Sequence, residues 1–323
     1  MGQAKRKKFD RINIEIINTC NLKCSFCPTP ERPTAKMTAE QFSSLAETIA
    51  PMSNEVVLHL LGEPLSHPDL GGILAAAHKN QWPVNIVTNG LLLTGERVDL
   101  ILNSNVRQLS ISLQSFSNNF PTQDPTNYIQ RVKVFVDRAL AERPDMYINL
   151  RFWDLDGTKE DETNHNHVMR VVLSNVFGFS WDDINIDVRR RKNHRLIGRL
   201  YLHFDSRFVW PSLENEVQQT SGFCHGLTGH FGIHADGTVV PCCLDHKADI
   251  PLGNVFTQSL DDILQSPRAI AMRNGFESGK LVEDLCRRCG FISRFKTSHL
   301  GPYKISGTVS QKGNSDAPRP SSP

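Results

Sequence analysis

The sequence lacks any run of about 18 apolar residues, so none of its 323 positions begins a segment suited to a membrane-spanning helix. It lacks a secretory start as well. Lys5-Arg6-Lys7-Lys8 is not followed by the apolar stretch a signal peptide needs. Nor is there surplus charge: 36 Lys+Arg stand against 34 Asp+Glu, a balance that gives no electrostatic case for nucleic acid or an anionic membrane. There is no visible internal repeat, and no cysteine between Cys27 and Cys224. These absences suggest a cytoplasmic chain with reduced thiols, long enough to bury one large core or two modest ones. Its eight cysteines are then read as metal ligands before disulfides.

What is present begins with Cys20-Asn21-Leu22-Lys23-Cys24-Ser25-Phe26-Cys27. Three cysteines at gaps of three and two residues can each take one corner of a cubane 4Fe–4S cluster and leave the fourth iron without a protein ligand. A closed zinc site is the alternative, although such sites pair two cysteines with a second pair. The stretch before the cysteines, Arg11 to Ile17, reads as a strand entering a buried sheet.

Strand and helix patterns then alternate. Thr38 with Gln41 forms a capping-box pattern that opens a helix to about Ile49. Glu55 to Leu61 reads as a strand, Asp69 to Asn80 as a helix, Val84 to Thr88 as a strand, and Asp99 to Leu102 as the end of a third helix. Val106 to Leu113 is a fourth strand, Tyr128 to Glu142 a helix, Tyr147 to Phe152 a fifth strand, Val168 to Val176 a helix and Asp183 to Val188 a sixth strand. Six such units argue for parallel strands with right-handed crossovers, curled into a full or partial barrel whose chemistry sits on the loops after the strands. From Arg189-Arg190-Arg191 the pattern becomes basic and irregular to about Ser221. That basic run is more simply a solvated surface than an anion site. Phe231 to His234 and Thr238 to Val240 flank Ala235-Asp236-Gly237, a hairpin signal. A helix from Ser259 ends at Gly275, and the chain after Tyr303 has a disordered composition.

Cys20, Cys24, Phe26 and Cys27 match the CxxxCxφC signature, and on it the chain resembles the radical S-adenosylmethionine (radical SAM) superfamily. The resemblance implies a partial (β/α)6 barrel of α/β class, a 4Fe–4S cluster on Cys20, Cys24 and Cys27, and S-adenosylmethionine on its open iron. It also implies reductive cleavage of that cofactor to a 5′-deoxyadenosyl radical. Leu61-Gly62-Glu63-Pro64 resembles the family's GGEP stretch with leucine in place of the first glycine. Gly62 would allow close backbone approach, and Glu63 would accept from the methionyl ammonium group. Asn89 resembles the family's TNG turn and is equally explained by turn chemistry. Ser110, Ser112 and Gln114 share one face of the fourth strand by alternation. The family uses that strand for the ribose and carboxylate of the cofactor, which points to Ser112 and Gln114, and Arg151 would pair with the same carboxylate. His59 and His67 bracket the Glu63 loop and read as satisfied structural histidines. No adenine-binding pattern follows the sixth strand.

Cys224, Cys242, Cys243, Cys286 and Cys289 resemble the SPASM/twitch extension of the same superfamily, in the short version with one auxiliary 4Fe–4S cluster on Cys224, Cys242, Cys286 and Cys289. Four cysteines ending in CxxC also make a tetrahedral zinc site. Cys243 is left over, as an inert thiol, a replacement ligand or a hydrogen-atom donor to a substrate radical.

The expected organisation is a basic tail at 1–8, a barrel at 9–190, a linker at 191–221, an auxiliary-cluster domain at 222–300 and a disordered tail at 301–323. The expected function is radical SAM oxidation or crosslinking of a peptide, a protein or a small polar metabolite, with a flavodoxin- or ferredoxin-type electron donor. No membrane partner is expected. The chain leaves little room for a leader-peptide domain before its first strand, which weighs against peptide maturation. The alternatives are a redox-neutral epimerase that uses Cys243 and a zinc-stapled binding protein.

Overall fold

The computed structural model describes residues 9–153, 160–184, 192–205 and 208–295. Along the chain the elements are β1 (Phe9–Ile14), α1 (Ala39–Ile49), β2 (Ser53–Leu58), α2 (Leu70–Lys79), β3 (Val84–Thr88), α3 (Gly95–Leu102), β4 (Val106–Ser112), α4 (Gln114–Asn119), α5 (Thr126–Glu142), β5 (Tyr147–Phe152) and α6 (Glu160–Phe177). They continue with β6 (Asn193–Ile197), β7 (Leu200–Phe204), β8 (His230–Ile233), β9 (Thr238–Val240), β10 (Gly253–Asn254), α7 (Leu260–Leu264), α8 (Pro267–Glu277) and α9 (Asp284–Arg287).

One sheet carries all the strands, in the order β10-β9-β8-β1-β2-β3-β4-β5-β7-β6. From β1 to β5 and on to β7 every neighbouring pair is parallel. This is the partial (β/α)6 barrel of the α/β class. The C-terminal segment does not stand apart from it, because β8 pairs in parallel with β1, Arg11 opposite His230.

Side chains alternate across each strand. Ile12, Ile14, Ile86, Leu109, Ile111, Ile148 and Leu150 are fully buried and pack under the helices, each contributing about 1.5–3 kcal/mol over an exposed position. Their neighbours Arg11, Asn13, Asn85, Ser110, Asn149 and Arg151 face the inside of the barrel and line a cavity of about 470 Å³. An apolar outer face and a polar lumen thus follow from one two-residue period.

Helix starts are locally encoded. Thr38 Oγ1 accepts from Gln41 N at 3.1 Å while Gln41 Oε1 accepts from Thr38 N at 2.8 Å, the expected reciprocal cap. Asp69 caps α2 through Gly72 N, and Gly237, at φ +86°, makes the β8–β9 turn.

Three expectations are corrected. The strand that pairs in parallel with β5 is β7; of the expected strand Asp183–Val188, Asp183 ends the 3-10 turn Trp181–Asp183, and positions 185–191, including Arg189–Arg191, lie outside the described residues. The expected irregular linker contains the antiparallel β6–β7 hairpin, turning at Gly198 with φ +51°. The helix expected to stop at Gly275 is two helices broken at Ser266-Pro267, where Ser266 caps α8 and proline takes its first turn. Gly275 lies inside α8, where a Cβ would meet Lys280 O at 2.9 Å. The tails at 1–8 and 296–323 lie outside the described residues.

His234 is fully buried, with Nε2 3.0 Å from the Asp245 carbonyl. Burial, then the nearby Arg32 charge, holds its pKa down to about 4. An unfolded histidine titrates near 6.5, so between the two values the unfolded chain binds more protons and stability falls as pH falls. Denaturant titrations at pH 7 and about pH 4.5 should show a smaller acid loss in His234→Gln than in wild type, by roughly 1–3 kcal/mol. An equal loss in both proteins contradicts the assignment.

Candidate active site

The cysteine loop leaves the C-terminal end of β1 and is held by the loops after β2 and β3. Gly62 sits at φ +77°, and a Cβ there would lie 2.1 Å from Ile17 O. Glu63 N donates to Thr19 O at 3.0 Å. The close approach that requires glycine is therefore to the stem of the cysteine loop. Pro64 opens a buried 3-10 turn, Pro64–Ser66.

Glu63 is 2% exposed. Its carboxylate accepts from Leu65 N at 3.0 Å, Thr88 Oγ1 at 2.7 Å and Asn89 N at 2.8 Å. Burial raises its pKa against those donors. A carboxylate has about four lone-pair sites, so one remains for a further donor. Asn89 combines both of its expected roles. Its Oδ1 accepts from Leu91 N in the turn, while its Nδ2 reaches Asn21 Oδ1 at 2.8 Å and Cys20 Sγ at 3.8 Å.

Below this loop Glu15 occupies a dry junction with 0% side-chain exposure. Both its oxygens lie 2.7 Å from Arg32 Nη2, and they also accept from Leu61 N and Ala235 N. Arg32 Nε donates to the His246 carbonyl at 2.8 Å. Desolvation pushes the Glu15 pKa up, and the Arg32 hydrogen bond and charge oppose it.

Cys20, Cys24 and Cys27 share this loop. The Cys24 thiol is shifted down, foremost by its hydrogen bond with the Cys27 thiol, while Cys27 is shifted up by the same contact. Cys20 is raised by burial. Backbone and amide donors already point at sulfur, from Leu22 N to Cys20 at 3.4 Å and from Asn119 Nδ2 to Cys24 at 3.1 Å. Phe26 lies with its ring 5.5 Å from that of Trp153, and its carbonyl accepts from Trp210 Nε1 at 2.9 Å.

Cys224, Cys242, Cys243, Cys286 and Cys289 all line the cavity beneath. Each is raised, first by burial. Mutual charge adds to this at Cys224, which reaches about 11, and at Cys242 and Cys286. Cys243 differs in facing Arg11, whose charge partly offsets its burial. Among the described residues no three His, Cys, Asp or Glu side chains surround a single metal ion. The two thiol sets fit clusters by another observation, donor chemistry: adjacent soft sulfurs, three on one side and four or five on the other.

Ser112 and Arg151 are register partners on β4 and β5. The Arg151 guanidinium lies 5.5 Å over Trp153, and burial lowers its pKa against the attraction of Asp205. Gln114 is a correction. β4 ends at Ser112, and Gln114 starts α4, where its Oε1 is buried without a partner among the described residues. The alternation of Ser110 and Ser112 continues in sequence to Gln114, two residues past the end of the strand and inside the helix.

His67 is the structural histidine expected, with Nε2 on Met37 O at 2.9 Å and Nδ1 accepting from Asp69 N. His59 differs. It faces the cavity between Arg151 and Arg11, and burial with those charges takes its pKa down to about 4. Asn118 and Asn119 of α4 and the aromatic wall of Trp153, Phe208 and Trp210 were missed in the sequence. Only the Asn pair just after β4 gave a readable signal.

Such a site, with two thiol sets on a partial barrel and a cavity between β-strand lumen and C-terminal segment, defines an iron–sulfur protein. Residues 14–148 match the radical SAM superfamily, and residues 224–290 match SPASM, an iron–sulfur cluster-binding domain. The chain carries a radical SAM domain followed by a C-terminal SPASM domain. The radical SAM domain binds a 4Fe–4S cluster and S-adenosylmethionine, and the SPASM domain binds auxiliary iron–sulfur clusters.

Over 275 residues the chain is 24% identical to the antilisterial bacteriocin subtilosin biosynthesis protein AlbA of Bacillus subtilis, covering 78% of this chain and 59% of AlbA. The matches to two other curated relatives span 47% and 29% of their lengths. The fold is similar to Streptococcus suis SuiB bound to precursor peptide SuiA, with a TM-score of 0.57 at 18% identity over 88% of this chain and 70% of that one. It is also similar to BtrN in complex with AdoMet and 2-DOIA, with a TM-score of 0.57 at 17% identity over 88% and 94%. Among the described residues no helix is long and apolar enough to cross a membrane.

The Glu15–Arg32 pair offers a direct test. Arg32→Met should cost about 3–5 kcal/mol by stranding a buried carboxylate, and Glu15→Gln with Arg32→Met should recover part of that loss in denaturant titrations. Additive losses in the double variant contradict the pairing.

Proposed function

We propose that this chain is a radical SAM enzyme that removes a hydrogen atom from a peptide substrate and completes an oxidation or a crosslink in the cavity between its two thiol sets. One observation carries the reading. The cavity lined by Cys224, Cys242, Cys286 and Cys289 extends to Trp153 and Trp210, the two residues that hold Phe26 of the N-terminal cysteine loop. In this reading 9–205 form the catalytic barrel and about 222–295 the auxiliary domain. Cys20, Cys24 and Cys27 hold the first cluster. Cys224, Cys242, Cys286 and Cys289 hold one auxiliary cluster.

When bound, the reduced first cluster and S-adenosylmethionine supply the 5′-deoxyadenosyl radical that takes the hydrogen atom. The remaining lone pair of Glu63 would receive the cofactor's ammonium group, while Ser112 and Arg151 would receive its carboxylate. Trp153, Phe208 and Trp210 make an apolar wall that excludes water from a reactive carbon. In the same cavity Asn13, Asn85, Ser110 and Asn149 offer uncharged hydrogen-bonding groups suited to peptide amides. Asn85 is 6% exposed and its Oδ1 has no partner among the described residues, leaving an acceptor for a substrate N–H. His59, held neutral by burial and by the Arg151 and Arg11 charges, offers the cavity an uncharged hydrogen-bonding imidazole.

Four protein thiolates around the auxiliary site favour electron storage over substrate ligation. AlbA and SuiB, one named for bacteriocin biosynthesis and the other solved with a precursor peptide, support a peptide. A flavodoxin or ferredoxin is the expected electron donor. A redox-neutral second reading has one observation in its favour: Cys243 lines the same cavity.

Anaerobic turnover of the full chain with S-adenosylmethionine, a low-potential reductant and candidate peptides should yield 5′-deoxyadenosine by mass spectrometry. Cys24→Ala should abolish it. Persistence of 5′-deoxyadenosine in Cys24→Ala contradicts the site. Solvent deuterium in the product, lost with Cys243→Ala while 5′-deoxyadenosine persists, selects the redox-neutral reading.

A further inference from the structure

The cysteine loop is gripped from a second side, by α4. Asn119 Oδ1 accepts from Lys23 N at 2.9 Å, and Asn118 Oδ1 accepts from Ser25 N at 2.7 Å. These are the two backbone amides that flank Cys24. Asn118 Nδ2 also donates to Ser25 Oγ at 2.8 Å, and Asn119 Nδ2 donates both to Cys24 Sγ at 3.1 Å and to Ser115 O at 2.9 Å. The two carboxamides therefore fix the peptide on each side of the middle cysteine and place one N–H on its sulfur.

α4 is itself held firmly. Phe116 stacks on Tyr128 with ring centroids 4.6 Å apart and an interplanar angle of 12°, and Phe120 packs against Phe116 at 5.1 Å. Tyr128 Oη donates to the carbonyl of Asn89, whose own side chain reaches Cys20 and Asn21. One rigid unit, from the turn after β3 through α5 to α4, thus contacts both ends of the segment from Cys20 to Ser25. Exposed hydrogen bonds between loops need not converge on a thiol; these do.

We propose that Asn118 and Asn119 are positioning residues for the first cluster: together they set the loop before the cluster is inserted, and Asn119 raises the cluster's reduction potential through its N–H donated to Cys24. This rests on the reading that Cys20, Cys24 and Cys27 hold a 4Fe–4S cluster. Reduction adds one electron to a centre already carrying negative charge, and an N–H aimed at a ligand sulfur stabilises the reduced form more than the oxidised one. Removing that donor makes the potential more negative. Asn118 touches no sulfur, so its removal loosens the loop and leaves the potential in place.

The experiment uses the full chain in two states. In the cluster-free protein, amide hydrogen exchange read by mass spectrometry over residues 20–27 should accelerate about tenfold in Asn118→Ala and Asn119→Ala, the equivalent of one lost hydrogen bond. Exchange in β1 and β3 should be unchanged. In the anaerobically reconstituted protein, redox titration followed by electron paramagnetic resonance should place the first cluster of Asn119→Ala below wild type. Asn118→Ala and the auxiliary cluster should stay at their wild-type values. Unchanged exchange over 20–27, an unmoved potential in Asn119→Ala, or equal shifts in both variants would each overturn the proposal. If Asn119→Ala fails to retain iron, Asn119→Gln supplies the redox comparison: it keeps the amide but displaces the donor, so its potential should fall, and a wild-type value overturns the proposal. A wild-type chain that binds no iron removes the functional reading itself. Accelerated exchange would then still report the loop contact, which separates the two failures.

Discussion

One buried carboxylate joins the pieces that must meet. Glu15 ends the run of β1 toward the cysteine loop, and its two oxygens gather Arg32 from the far side of that loop, Leu61 N from the turn after β2 and Ala235 N from the turn after β8. Taking a carboxylate out of water costs several kcal/mol unless charge and hydrogen bonds compensate. Here both are present, and the same guanidinium reaches on to the His246 carbonyl. The interaction is a poor source of net stability and a strong source of specificity, because a chain with any of those segments misplaced would leave the charge unpaired.

Around that junction the site is built by steric exclusion as much as by attraction. Gly62 admits the backbone of Ile17 where any side chain would collide. Glu63 is then held by Thr88 and Asn89, so the turns after β2 and β3 move as one. The thiols are presented on an irregular loop that is held by the turns after β2 and β3, by α4 and by Trp210. The continuous pairing of β8 with β1 extends the same rigidity to the C-terminal cysteines.

Much of the architecture was legible because one face of each strand is apolar. β3 and β5 have the bounds their patterns suggested, and the Thr38–Gln41 box starts α1 as read. The hairpin at Asp236-Gly237 formed where its turn residues indicated. What failed has physical causes. β7 has the apolar alternation of a buried strand but follows a basic stretch read as irregular, and Gln114 continued the strand's alternation after the backbone had turned helical. Cysteine spacing revealed both thiol sets, since local spacing limits what metal they can share. The Glu15–Arg32 junction and the grip of Asn118 and Asn119 on the loop depend on contacts between residues 17 and about 95 positions apart, which no local pattern encodes.

The cavity lining combines the polar lumen of the barrel with the aromatic side chains of Trp153, Phe208 and Trp210. The account depends on an iron at the N-terminal thiols that the polypeptide leaves available. The most direct measurement is electron paramagnetic resonance of the reduced, anaerobically reconstituted chain before and after S-adenosylmethionine is added, with the C-terminal cysteines Cys286 and Cys289 replaced by alanine to remove the auxiliary signal. The account predicts a 4Fe–4S spectrum that changes on addition of the cofactor. A chain that holds zinc at these thiols, or a cluster whose spectrum does not respond, would contradict it.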